Sequence, residues 1–141
     1  MPKSPIRILV VDDYEPWRRF GASTIQKKPQ FQIVGEAADG LEAVQKAQQL
    51  QPDLVLLDIG LPLLNGIEAA RKIRELSPDS KIIFLSENRS SDIAETALAT
   101  GASGYVVKSD AGSQLLPAIA AVLRGKRFLS AAVAERVAAH V

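Results

Sequence analysis

Leu54-Val55-Leu56-Leu57-Asp58-Ile59-Gly60-Leu61-Pro62 is a run of four aliphatic residues that stops abruptly at an acid. Apolar side chains at consecutive positions, with no polar alternation, predict a strand covered on both faces, and strands of that kind belong to parallel sheets. Four more short apolar runs share the pattern: Ile6 to Val11, Phe31 to Ala37, Lys81 to Leu85 and Gly104 to Val107. Helical signals fill the gaps between them. Tyr14 to Lys28 has Pro16 in its first turn, where a missing N–H costs nothing. Asp39-Gly-Leu-Glu42 and Asn65-Gly-Ile-Glu68 each pair a capping residue with a glutamate three positions later, and open the second and third helices. Ser90 or Ser91 caps a fourth, stopped near Thr100 by Gly101; a fifth runs from about Gly112 to Leu123. Pro117 inside it removes one backbone hydrogen bond and predicts a bend. Five strand–helix alternations predict a doubly wound α/β fold around a five-stranded parallel sheet with right-handed crossovers.

Composition narrows the chemistry. With 141 residues the chain suits one domain that folds without staples. It has no cysteine, which excludes disulfides, thiolate metal sites and cysteine nucleophiles. The single histidine, His140, lies at the far C-terminus, so imidazole chemistry has little to build on. Seventeen basic against sixteen acidic residues give a net charge of +1, which argues against a broad nucleic-acid surface. No run is long enough to span a membrane, and no secretory signal is read at the N-terminus; the composition fits a cytoplasmic protein. The single domain is read as residues 1–127. Residues 128–141 read equally well as a terminal helix capped by Ser130, with Val133, Val137 and Val141 on one face, or as the start of a linker.

Carboxylates, hydroxyls and lysine are left to carry chemistry, and they gather where this fold places its sites, outside the carboxyl ends of the strands. Strand one ends in Asp12-Asp13, strand three in Asp58, strand four in Ser86, and Lys108 follows strand five. A lone acid at a strand end is a cap or a solvated loop residue. Three acids together repel one another and call for a cation, and an oxygen-only donor set suits Mg²⁺. A carboxylate-bound metal, a lysine and a hydroxyl can together bind a phosphoryl group, and one carboxylate can accept it as an acyl phosphate.

Those residues, in that order, resemble response-regulator receiver domains of two-component signalling: Asp12-Asp13, Leu54 to Pro62 with Gly66, Leu85-Ser86, and Gly101-Ala-Ser-Gly-Tyr105-Val-Val-Lys108. The resemblance covers roughly residues 5 to 125, and Gly104 to Ala111 with Gly125 to Ser130 is most similar to the NarL/LuxR-type subgroup. It implies the flavodoxin-like (βα)5 receiver fold and a phosphoacceptor signalling domain rather than an enzyme. Asp58 is then the acceptor of a phosphoryl group from a sensor histidine kinase. Asp13, Asp58 and the Gly60 carbonyl hold Mg²⁺, with Asp12 acting through water. Lys108 pairs with the phosphoryl oxygens, Ser86 swings toward them, and Tyr105 turns inward behind it. Phosphorylation is then expected to favour a homodimer, through helix four, strand five and helix five or through helices one and five. DNA would be bound by a helix-turn-helix outside this chain and not by the receiver. Three positions depart from the family: Ser109 stands where proline usually follows the lysine, Glu87 where a small residue is usual, and Gly60 where a bulkier one is common.

Other readings weaken at particular residues. A flavodoxin-type cofactor binder needs a hydroxyl- and glycine-rich phosphate loop after strand one, where this chain has Asp12-Asp13-Tyr14-Glu15. An aspartyl phosphatase needs an acid two residues past its nucleophile, where Gly60 stands. A pseudo-receiver that has lost phosphorylation conflicts with the intact acid cluster, though Glu87 is a point in its favour.

Overall fold

The computed structural model of the chain describes residues 5–131, 133 and 134. In chain order the elements are β1 (Ile6–Val11), α1 (Glu15–Gln26), β2 (Phe31–Ala37), α2 (Gly40–Leu50), β3 (Leu54–Leu57), α3 (Gly66–Leu76), β4 (Lys81–Ser86), α4 (Ser91–Leu98), β5 (Gly104–Val107), a 3-10 turn (Lys108–Asp110), α5 (Ala111–Leu123) and β6 (Phe128–Leu129). The sheet order is β2-β1-β3-β4-β5-β6 and every pairing is parallel. The chain therefore reverses its direction of travel across the sheet between β1 and β3, and that crevice is where a doubly wound fold opens a site.

Side-chain alternation divides the core into two layers. Leu9, Val11, Val55, Leu57, Ile82, Phe84, Tyr105 and Val107 face α2, α3 and α4; Ile8, Val10, Leu54, Leu56, Ile83, Leu85 and Val106 face α1 and α5. Both layers are dry, so β1, β3, β4 and β5 need apolar residues at successive positions, which is why Leu54 to Leu57 read as one block. Burying each of those leucines contributes about 1.5–3 kcal/mol. Alanines at Ala43, Ala47, Ala70, Ala94 and Ala97 let the helices sit close on the sheet.

The sixth strand is an addition to the five expected. Phe128 and Leu129, read from sequence as the first residues of the C-terminal segment, pair with Gly104 and Tyr105. Two residues between Arg127 and Ser130 are too short to carry a strand signal. The Ser130 N–H donates to the Tyr105 carbonyl at 2.8 Å, its hydroxyl donates to Asp110 Oδ2 at 2.5 Å, and a helical turn starts behind it with Val133 buried. Val137, His140 and Val141 lie outside the described residues.

The caps form with one change of detail. Asp39 accepts from the Glu42 N–H at 2.7 Å, but Glu42 reaches back to the N–H of Ala38 rather than to that of its cap. Asn65 accepts from the Glu68 N–H at 3.0 Å. Ser90 is the N-cap residue of α4 yet makes no side-chain cap bond; Asn88 Oδ1 accepts the Ser90 N–H instead. α4 ends at Leu98 and Gly101 turns the chain at φ +96°. Pro117 lies inside α5 on its exposed side, one turn after the likewise exposed Ser113.

Gly66 closes the loop after β3. Its N–H donates to the Ile59 carbonyl at 2.7 Å, and a Cβ there would lie 2.0 Å from the Asp58 carbonyl oxygen. Gly112, at the exposed start of α5, has nothing within 4 Å of a Cβ. Gly66→Ala is expected to cost roughly 2–4 kcal/mol, since backbone must move to admit the methyl, while Gly112→Ala should gain about 0.5–1 kcal/mol from helix propensity. Urea unfolding of the two variants checks both signs.

Candidate functional site

The sheet's carboxyl edge opens into a cleft of about 510 Å³ lined by Asp13, Tyr14, Trp17, Asp58, Ile59, Gly60, Ser86, Glu87, Asn88 and Lys108. Each line of descent is short. β1 delivers Asp12 and Asp13, β3 delivers Asp58, β4 ends on Ser86, and the 3-10 turn after β5 begins with Lys108. Asp12, Asp58, Ser86 and Lys108 are buried, whereas Asp13, Gly60 and Glu87 are exposed at the mouth. Carboxylate oxygens of Asp12, Asp13 and Asp58 lie within 4.8 Å of one another.

Lys108 is the counter-charge among these acids. Nζ stands 2.8 Å from Asp12 Oδ2 and 3.7 Å from Asp58 Oδ2, so its short ion pair is with Asp12. Asp12 also accepts the Tyr14 N–H through Oδ1 at 2.9 Å. Asp58 accepts the Ile59 N–H through Oδ1 at 2.9 Å. Burial, with Asp12 and Asp13 adding repulsion, lifts the Asp58 carboxyl from its ordinary 3.8 to about 6; Lys108 and the Ile59 N–H pull the other way and do not offset it.

Ser86 Oγ accepts the Asn88 N–H at 3.1 Å, and its hydroxyl lies close enough to the Tyr105 hydroxyl to favour the ionised phenol, against the effect of burial. Tyr105 is wholly buried, so the inward position expected on phosphorylation is already adopted here. Its hydroxyl donates to the Asn88 carbonyl at 2.8 Å, and burial pushes the phenol up. Ser109 follows Lys108 through a trans bond, as at every peptide bond described, and its hydroxyl accepts from Arg89 at 2.7 Å. A Cβ on Gly60 would meet nothing within 4 Å, so the cleft is open on that side.

The acids fit a divalent cation. Three carboxylates less the Lys108 ammonium leave two formal negative charges in the cleft, and the side-chain donors among them are oxygens. Sequence reasoning brought these residues to one edge but missed Trp17 and Asn88 as members of the site. Trp17 lies in the first turn of α1, right after the Asp12-Asp13 pair, which keeps it at the same edge. Asn88 contributes through its backbone, for which side-chain type gives no signal.

The raised Asp58 value has a consequence for stability. The folded protein holds that proton more tightly than the unfolded chain, so the group favours folding increasingly as pH falls from about 7 to about 4, and that advantage is lost as pH rises through 6. In metal-free buffer, Asp58→Asn should therefore raise stability at pH 7.5 by on the order of 1–2 kcal/mol. The gain should vanish near pH 4. Urea midpoints of both proteins across that range, with a chelator present, measure it.

Comparison with known proteins agrees with the geometry. The response regulator receiver domain family matches residues 8–120, most of the chain. The nitrate/nitrite response regulator protein NarL of Escherichia coli K12 is 35% identical over 99% of this chain, and the transcriptional regulatory protein LiaR of Bacillus subtilis is 36% identical over 94%. The chain spans 64% and 63% of the lengths of those two relatives. A LuxR-family two-component response regulator from an Aurantimonas species superposes with a TM-score of 0.92 at 37% identity, covering 97% of this chain and 98% of that one. A parallel sheet whose acids, hydroxyl and lysine meet at one switch point, matched over nearly its full length by these proteins, makes this chain a response-regulator receiver domain of the NarL/LuxR type.

Proposed function

We propose that Asp58 accepts a phosphoryl group from a sensor histidine kinase in a Mg²⁺-dependent reaction. The observation that carries this is the Asp58 carboxylate in an open cleft with two further acids and a lysine 3.7 Å away. An Asp58 oxygen forms a bond to phosphorus as the bond from phosphorus to the donor's imidazole nitrogen breaks, and that nitrogen's electron pair takes a proton from solvent. Mg²⁺, held by Asp13, Asp58 and the Gly60 carbonyl, with Asp12 acting through water, would neutralise charge on the transferring group. Lys108 turns from Asp12 to the new phosphoryl oxygens, and Ser86 donates its hydroxyl proton to another. Turning Ser86 would loosen the Asn88 contact, and Asn88 is also where the Tyr105 hydroxyl is held, so the two switch residues share one loop. The chain's only chemistry is gaining and losing this group. It works in the cytoplasm, where its kinase presents the phosphohistidine.

The output we infer is transcriptional control, through DNA bound by a region outside this chain, with phosphorylation favouring a homodimer. Ser86 and Tyr105 lie on β4 and β5, so their movement shifts α4, β5 and α5 before the far side of the sheet. The receiver unit is taken as residues 1–127, with residues 128–141 leading onward.

Incubation with acetyl phosphate and Mg²⁺ should add one phosphoryl group by intact-protein mass spectrometry, absent in Asp58→Asn. Equal labelling of the two proteins would sink the assignment. Asp13→Ala should weaken Mg²⁺ binding by roughly tenfold or more, as loss of a direct ligand does. Asp39→Ala should leave that affinity unchanged while costing about 1 kcal/mol of stability through the lost cap. Trp17 fluorescence follows both titrations.

A further inference from the structure

Trp17 has no role in the chemistry described so far, yet it is built into the site. It lines the cleft from α1, its ring stacks on Phe20 at 5.3 Å, and the Lys108 ammonium stands 5.1 Å from its ring centroid. Lys108 is thus enclosed by Asp12 at 2.8 Å, Asp58 at 3.7 Å and the indole face. Its side chain is 6% exposed, so the ring acts on a largely desolvated cation, the setting in which a cation–π contact is strongest.

The resting ion pair creates a difficulty that the ring resolves. Lys108 is ion-paired with Asp12, while the phosphoryl group arrives on Asp58. Nζ already lies within 3.7 Å of an oxygen on each carboxylate, and turning toward a phosphoryl group on Asp58 stretches its 2.8 Å contact with Asp12; a buried ammonium whose partner is drawn away is costly. An indole face attracts the charge without prescribing a hydrogen-bond direction. It can hold the ammonium equally well in either orientation. We propose that Trp17 is a positioning residue for phosphoryl transfer, holding the Lys108 ammonium charged and dry while it turns from Asp12 to the phosphoryl oxygens of Asp58. The proposal rests on the reading of Asp58 as acceptor.

The competing account is that Trp17 only packs, since it also lies against the α1/α5 core layer. Transfer from acetyl phosphate separates the two: an Asp58 oxygen bonds to phosphorus as the bond to the acetate oxygen breaks and acetate leaves with that electron pair. Wild type, Trp17→Phe and Trp17→Leu are compared at saturating Mg²⁺ over a series of acetyl phosphate concentrations, with melting temperatures measured alongside. Maximal rates should fall in the order Trp, Phe, Leu. The Leu variant should be roughly three- to thirtyfold slower, with KM for acetyl phosphate moved less than about twofold. Should Trp17→Leu fail to fold, Trp17→Met replaces it as the apolar variant without a π face. In wild type, the Lys108 ε-methylene protons should show ring-current shielding that survives addition of beryllofluoride. A wild-type rate in the Leu variant, equal losses in Phe and Leu that track melting temperature, or shielding that disappears with beryllofluoride would each overturn the proposal. A wild type that takes no phosphoryl group overturns the reading of Asp58 and this proposal with it; a labelled wild type with an unimpaired Leu variant overturns this proposal alone.

Discussion

Mutual repulsion among Asp12, Asp13 and Asp58 is the constraint around which the rest of the molecule is arranged. Carboxylates held within 4.8 Å of one another, two of them buried, do not stay together in a fold unless something imposes it. The imposition comes from β1 and β3, whose eight-residue pairing register is filled by aliphatic side chains with water excluded on both faces. Lys108 offsets part of the repulsion from the end of β5, three strands away from β1 in the sheet. Gly66 draws the loop after Asp58 tight against its backbone. Burial first, and Asp12 and Asp13 after it, push the Asp58 carboxyl up against the pull of Lys108, so a cation bound among the three acids would favour its charged form.

How far this was legible in the sequence follows from which forces leave a pattern in it. Burial on both faces leaves an uninterrupted aliphatic run, so Leu54 to Leu57 and the matching blocks could be read as parallel strands, and the rule for strand ends then brought Asp12, Asp13, Asp58, Ser86 and Lys108 to one edge. β2 read as the same kind of strand, but it lies at the rim, and Gln32 and Glu36 on it reach water. Capping was readable at Asp39 and Asn65, because the acceptor and the donor stand three residues apart. It was not readable for Ser90, where Asn88 takes over the N–H of the cap residue.

What escaped the sequence are contacts decided by about an ångström between elements distant in the chain. Whether Lys108 leans on Asp12 or Asp58 is a difference between 2.8 and 3.7 Å, and residue type is silent on it. The approach of Trp17 to Lys108 joins α1 to the end of β5 across ninety-one positions of sequence (17 to 108) and needs the assembled sheet to exist. β6 is two residues long and owes its existence to the β5 edge it completes.

That small strand has a consequence for how copies of the molecule meet. A sheet's outermost strands offer unpaired backbone groups to any passing chain, and long flat rims seed aggregation. Here one rim is β6, which presents two residues before Ser130 turns away and is clipped to Asp110. The other is β2, whose register with β1 shifts between Ile8 and Leu9 and which carries a charged residue at Glu36. Neither rim is a good template for a foreign strand. Edge-to-edge pairing of sheets, the route by which crowded copies lock together through backbone ladders, is thereby disfavoured.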